Sequence, residues 1–565
     1  MPDCPFNPAA ENIADLIYRF GSLQSERWNN TSSLCADYVS SDYIILHMPL
    51  TPDAVSMRVH PYYMIPSLFS PLDYNAMEAS GILSAFNSPA LNNQGKGVLI
   101  GLVDTGIDYR SPLFQNPDGT TRIAGIWDQS VPIEEDVLPA GVPDYYPMGG
   151  SSYGTEYTRE QINEALASDD PLSLVPTQDT IGHGTFLAGL AAGSSIPQED
   201  FTGAAPEAEL AVVKLKPAKK YLRDFYLIPS DAPAFQENDI MMGIKYLRMM
   251  ADRLKKPLVI LLAMGSNSGS HIGTSPLSQV TQNYSGFFGI ITVIACGNET
   301  GAAHHFYASI PAGTEYEDVE IRVGKEEAER GFVLELWAAD ADTYTVGFIS
   351  PSGERISRIP IIANNETSIP FLLDATTITV NYQLIEAESG SQLIFMRFQT
   401  PAAGIWTVRV YNTQRFKGTF HMWLPVQGMI SFLRPDPYST ITVPGNSRLP
   451  ITVGAYDTST GGIYIHSSRG FTPNQIIKPE LAAPGVNILG PSVGRKPGSD
   501  TPMTTRTGTS AAAAITAGAA ANLLGWGIVE GNYPTMSEAS VKSYLIRGAQ
   551  RNPALTYPNR EYGYG

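Results

Sequence analysis

The chain has 565 residues, 43% of them hydrophobic and 10% aromatic, which excludes a disordered or low-complexity protein. Only 16% are charged and the formal net charge is −18. Nucleic acid and an anionic membrane surface are thereby excluded as expected partners, because binding phosphate needs a basic face. At about 150 residues per domain, three or four domains are expected.

Residues 1–72 read as a small α+β unit. A short helix is expected over Ala14–Phe20 and a strand over Tyr43–Met48, followed by the Pro-rich stretch Pro61–Pro71 as a linker. Another helix is expected to begin near Asp73. The stretch from Met1 to Phe20 carries Asp3, Glu11 and Asp15 with no basic start and apolar run, so no secretory signal is expected. Apolar stretches such as Leu258–Met264 are too short to span a bilayer. Three cysteines, Cys4, Cys35 and Cys296, are too few and odd in number for a disulfide scaffold. They fit a reducing compartment, and synthesis in the cytoplasm is the expectation.

From Gly97 the pattern changes. Val98–Val103, Ala211–Leu215, Leu258–Leu262, Gly289–Ala295 and Leu449–Val453 are continuous apolar runs, as expected of parallel strands buried on both faces. Helices are expected between them over Phe186–Gly193, Asp239–Leu254 and Ala511–Leu524. The alternation predicts a doubly wound α/β fold. Residues 305–439 interrupt it with short strands: Val319–Val323, Phe332–Ala338, Tyr344–Ser350, Arg355–Ile361, Thr377–Ile385, Leu393–Thr400, Ile405–Tyr411 and Gly418–Pro425. Their spacing predicts an inserted all-β sandwich. The expected division is 1–72, 73–304, 305–439 and 440–565, the second and fourth segments forming one α/β unit.

Three segments place a reactive side chain at a strand end or helix start, framed by glycines. In Val98-Leu-Ile-Gly-Leu-Val-Asp104-Thr-Gly, a carboxylate directly follows an apolar strand and so lies at the carboxyl edge of the sheet, where α/β sheets place their sites. In Ile181-Gly-His183-Gly-Thr-Phe-Leu-Ala-Gly189, a histidine opens a helix. In Thr507-Gly-Thr-Ser510-Ala-Ala-Ala-Ala, a serine stands at the start of a helix of small residues, where backbone N–H groups favour developing negative charge. A serine hydroxyl is a weak nucleophile that needs a base; His183 supplies one, and Asp104 would orient it. Ile291-Thr-Val-Ile-Ala-Cys-Gly-Asn298 ends a strand with an amide donor, which with the Ser510 N–H would form an oxyanion hole.

These segments, in the order Asp, His, Asn, Ser, resemble the subtilisin-like (subtilase) serine proteases. Gly203-Ala-Ala-Pro-Glu-Ala-Glu-Leu, Ile451-Thr-Val-Gly-Ala and Lys478-Pro-Glu-Leu-Ala-Ala-Pro-Gly agree, and the likeness covers about residues 95–304 and 440–550. Within the family the chain resembles the clostridial Csp-type germination proteases. That likeness rests on Phe186 after the histidine motif, on Ala511–Ala514 after Ser510, and on the inserted strands, with Pro401–Asn412 similar to a strand of that branch's jelly roll.

The resemblance implies a subtilisin-like doubly wound, mostly parallel sheet, an inserted jelly-roll domain and an N-terminal prodomain. It implies self-cleavage of that prodomain within Pro66–Tyr74, a protein or peptide substrate that pairs with Met264 and Gly265, and no cofactor. In the Csp branch it implies a spore-associated protein acting on a cortex-lytic zymogen. Leu262-Ala-Met-Gly265 departs from the family's Ser-Leu-Gly or Ser-Phe-Gly, Ala263 replacing a small hydroxyl residue, and Ile272 stands where relatives often carry Asp.

The runner-up reading is a catalytically silent pseudoprotease that senses or scaffolds; retention of Asp104, His183, Asn298 and Ser510 argues against it. A hydrolase of esters or non-protein amides is disfavoured by the substrate-pairing strand. His271, His304 and His305 lack zinc spacing and are expected to be structural or on the surface, and Cys296 to be a small buried hydrophobe. Asp108, Asp118 and Asp128 show no calcium-ligand spacing, so no metal is expected.

Overall fold

The computed structural model of the protein describes residues 4, 6–19, 35–72, 93–132, 153–197, 200–339, 342–362, 366–413, 416–426, 428, 430–494 and 502–565. The helix expected near Asp73 lies outside them. At the centre is an eight-stranded sheet in the order Leu481–Pro484, Ile451–Tyr456, Ile290–Ala295, Leu258–Leu262, Leu99–Asp104, Glu209–Lys214, Ile123–Asp128 and Thr155–Thr158. Every neighbouring pair is parallel except the last, which is antiparallel. The continuous apolar runs are buried on both faces, because helices cover both sides. Ile123–Asp128 is a further strand, parallel to Glu209–Lys214 and next to the antiparallel edge strand; its glycine and terminal carboxylate weaken the apolar run.

The helices His183–Ala192, Glu237–Leu254 and Thr509–Leu524 fall where expected. Together with the segment that follows it, Thr509–Val529 is apolar enough by length and composition to cross a membrane. In this fold it is a core helix: Ala511–Ala514, Ala517, Ala520 and Ala521 are all buried. Small side chains let it approach its neighbours closely. A Cβ on Gly518 would lie 2.4 Å from Ala204 Cβ and 2.8 Å from Ala191 O.

The insertion forms two antiparallel sheets. One runs in the order His305–Ile310, Gly418–Trp423, Phe332–Ala338, Leu393–Gln399, Thr376–Gln383, Glu366–Phe371; the other is Arg355–Ile356, Tyr344–Ile349, Gly404–Asn412, Tyr316–Val323, Ile430–Phe432. A shared core that includes Trp406, Phe398, Phe348 and Phe420 joins them.

Two expectations for the N-terminal unit need correction. The helix expected over Ala14–Phe20 is not formed as far as Arg19, where the described residues of this segment end: Ile13–Arg19 is a strand, paired from Ile13↔Pro49 to Arg19↔Tyr43 with Tyr43–Pro49. Its apolar spacing imitates a helix because residues on both faces of the strand's first half are buried. Cys4 and Cys35 are joined in a disulfide, their Cα atoms 4.8 Å apart, and only Cys296 remains free among the described residues. Residues 31 apart in sequence are brought within bridging distance by the fold, which spacing alone does not show. The cross-link removes the basis for inferring a reducing compartment.

Candidate active site

Three adjacent strands deliver the site. Leu99–Asp104 ends in Asp104, Leu258–Leu262 leads into Met264–Gly265, and Ile290–Ala295 leads into Asn298, all at the carboxyl edge of the sheet. His183 Nδ1 lies 2.7 Å from Asp104 Oδ1, with the histidine 0% and the aspartate 2% exposed. Donation from Nδ1 to the carboxylate leaves Nε2 as the ring atom able to take a proton. The two side chains meet because Gly184 has no Cβ. One placed there would sit 2.1 Å from Gly106 O and 3.2 Å from Asp104 Oδ1.

Asp179 organises this corner. Gly182, in the left-handed region at φ 81°, precedes the helix and offers no side-chain cap. The Asp179 carboxylate caps it from outside, accepting from Ile181 N, Gly182 N (2.7 Å), Thr185 N (2.9 Å) and the Thr185 hydroxyl. It also accepts from the Thr105 hydroxyl at 2.8 Å, while Thr105 Oγ1 accepts from Gly184 N. One buried carboxylate thus ties the residue after Asp104 to the turn that holds His183. The only sequence signal for it is an acidic residue just before a helix start that has no cap of its own.

Ser510 stands in the first turn of Thr509–Leu524. Its hydroxyl oxygen is buried and has no hydrogen-bond partner among the described residues, an arrangement that points to function over structural satisfaction. Asn298 Oδ1 accepts from Thr509 N at 3.2 Å, and Gly297 N donates to Thr509 Oγ1. The Asn298 amide is therefore fixed beside the helix start that carries Ser510. Cys296, in the same loop, is fully buried, and burial pushes its thiol up to about 12.

Met264 and Gly265 pair antiparallel with Leu68–Pro71 of the N-terminal unit: Met264↔Pro71 and Gly265↔Ser70. Leu72 N donates to Ala263 O at 3.1 Å. On its other edge Leu68–Pro71 pairs with Phe235–Gln236. The segment expected to bind a substrate strand already holds one from the same chain.

No group of three or more metal-ligating side chains occurs among the described residues. Asp128 is fully buried and accepts from Thr177 Oγ1 and Lys214 Nζ. His271 and His305 are buried, not on the surface, and both rings stack with Trp423.

The Subtilase family pattern matches residues 95–349 and 434–565, well over half of the chain, and the protein belongs to that family. Most of the inserted sandwich falls in the gap between the two matched stretches. The structure of the Clostridium perfringens CspB protease is similar, with 30% identity and a TM-score of 0.73 over 86% of this chain and 96% of that one. The subtilisin-like proteases SBT3.12 and SBT3.5 of Arabidopsis thaliana are 24% and 23% identical over 83% and 89% of the chain. The aligned regions span 59% and 64% of those plant proteins.

Proposed function

We propose that the protein is a serine endopeptidase that cuts peptide bonds through Asp104, His183 and Ser510. The observation that carries this is the 2.7 Å Asp104–His183 contact at the sheet edge, with Asn298 bonded to the helix start that bears Ser510. Ser510 Oγ attacks the scissile carbonyl carbon while His183 Nε2 takes the hydroxyl proton. The oxyanion is held by the Asn298 amide and the Ser510 N–H. Collapse breaks the C–N bond, His183 gives its proton to the leaving amine, and an ester to Ser510 remains. Water, deprotonated by His183, hydrolyses it. Substrate pairs as a strand with Met264–Gly265. The reaction needs no cofactor.

In this reading residues 1–72 are a prodomain that the enzyme removes from itself, and residues 305–439 are the family's jelly-roll insertion. The seating of Leu68–Pro71 on Met264–Gly265 supports the first assignment. Likeness to the CspB protease extends the proposal to activation of a spore cortex-lytic zymogen. The same seated strand is what favours the runner-up, a silent scaffold whose cleft stays filled.

The full chain, expressed alone, is expected to split into a fragment of about 7–8 kDa and the remainder, as a separate domain of that length would give, and Ser510→Ala to stay whole on the same gel. Two identical full-length bands would overturn self-processing; cleavage of both would assign it to another protease.

A further inference from the structure

We propose that Leu72 is the residue whose carbonyl Ser510 attacks, that the bond cut is Leu72–Asp73, and that Thr442 limits the pocket so that the enzyme selects substrates with a medium aliphatic side chain at that position. The inference rests on the endopeptidase reading above and adds the substrate class.

The register carries it. Ser70 faces Gly265, Pro71 faces Met264, and Leu72 N bonds to Ala263 O, so the strand advances toward the end of Leu258–Leu262. That is the sheet edge where Asp104 and Asn298 stand on the two neighbouring strands' ends. Leu72 is 3% exposed and belongs to the same buried cluster as Ala263, Ala295 and Ala511, the last being the residue after Ser510. Its side chain fills the space left by the missing side chain of Gly265: a Cβ there would lie 3.0 Å from Leu72 Cδ1 and 2.5 Å from Thr442 Oγ1. Thr442 also closes on the oxyanion loop, where a Cβ on Gly297 would lie 2.6 Å from Thr442 Cγ2. Thr442 is fixed there by its own N–H, which donates to Cys296 O at 3.0 Å. Leu72 and Thr442 both adjoin Gly265, and Thr442 adjoins Gly297, one residue from Asn298; this run of neighbours is the ground for assigning the Leu72 carbonyl, the next group along the chain, to Ser510.

Three positions earlier, Phe69 is fully buried, pairs with Phe235 and belongs to the buried cluster that also holds Ile240 and Met264. The preferred sequence is therefore aromatic, small, proline, leucine, as in Phe69-Ser-Pro-Leu72. Thr442 is a specificity residue here: with Gly265 open on one side, its branched Cβ decides how deep a side chain reaches.

The test is N-terminal sequencing of the large fragment from the full-length wild type, beside Ser510→Ala. The expected fragment begins Asp73-Tyr-Asn-Ala. Leu72→Met is expected to process at the wild-type rate, and Leu72→Glu at least about tenfold more slowly, because a carboxylate must enter an apolar pocket. Thr442→Leu, which fills the space of Leu72 Cδ1, is expected to slow processing by a similar factor, and adding Leu72→Ala to recover part of it. A Ser510-dependent fragment that begins elsewhere overturns the assignment and leaves the protease reading standing. Absence of Ser510-dependent cleavage overturns that reading itself. A fragment starting at Asp73 in the wild type, with Leu72→Glu and Thr442→Leu both processing at full rate, overturns the pocket.

Discussion

Asp179 has no partner in the reaction, yet five hydrogen bonds converge on it. Replacing it with alanine leaves several buried donors without an acceptor, each costing about 1–3 kcal/mol where water does not enter. Asp179→Ala is therefore expected to lower the unfolding temperature and slow self-processing. Asp179→Asn, which keeps one acceptor oxygen, should fall between it and the wild type. A wild-type rate in Asp179→Ala would show that the helix start holds His183 without this cap. The catalytic candidates themselves were legible in sequence, because Asp104, His183, Asn298 and Ser510 each sit in a short motif whose strand or helix end can be read locally. Asp179 was not, because its role is to join two motifs 74 residues apart, and such contacts exist only after folding.

Among the elements, the helix His183–Ala192 depends on close backbone approach. Gly184→Ala is expected to push the helix start away from Gly106 by forcing a 2.1 Å contact apart. Overpacking of this kind costs about 1–3 kcal/mol. The larger loss should be in self-processing, since the Asp104–His183 contact lies beside it; unaltered processing would contradict the geometry. The long elements were predictable from their periodicity, as Glu237–Leu254 and Thr509–Leu524 show. The strand Ile13–Arg19 reads as a helix in sequence because its burial is imposed from outside. The paired strand Tyr43–Pro49 holds one edge, and the catalytic unit removes the polar face that would have revealed a period of two.

At the level of the whole molecule, histidines mark two junctions of opposite electrostatic character. His47 lies in the N-terminal unit between Asp15 (2.8 Å) and Asp37, and Asp15 pairs with Lys219 of the catalytic unit. Burial acts against its charge, but the two carboxylates outweigh it and raise its pKa to about 9. Its stabilisation is thus fully present below the ordinary histidine value and is lost as pH rises through about 9.

Where the sandwich meets the catalytic unit, His271 stacks on Trp423 at 4.0 Å and His305 Nε2 lies 2.9 Å from His421 Nδ1. Burial lowers His271 to about 4 and His421 to about 3, and holds His305 low as well. Between about pH 6.5 and those values the unfolded chain binds more protons than the native one, so stability falls as pH falls, by up to about 1.4 kcal/mol per unit for each histidine. The unfolding temperature is therefore expected to drop from pH 6.5 toward pH 4, and His421→Gln to flatten that drop. An identical profile in the variant would remove His421 from the cause.

Sequence alone determined the class of the protein: the parallel sheet, the interrupted α/β unit and the four candidate site residues follow from local patterns whose physics acts over one strand or one turn. Tertiary structure decided what those patterns are joined to. Leu68–Pro71 pairs with Met264–Gly265, Cys4 meets Cys35, Asp179 ties two motifs, and His271 and His305 stack on Trp423 of the sandwich. Each of these depends on segments far apart in the chain meeting in space, and a residue's own neighbours in sequence carry no record of that meeting.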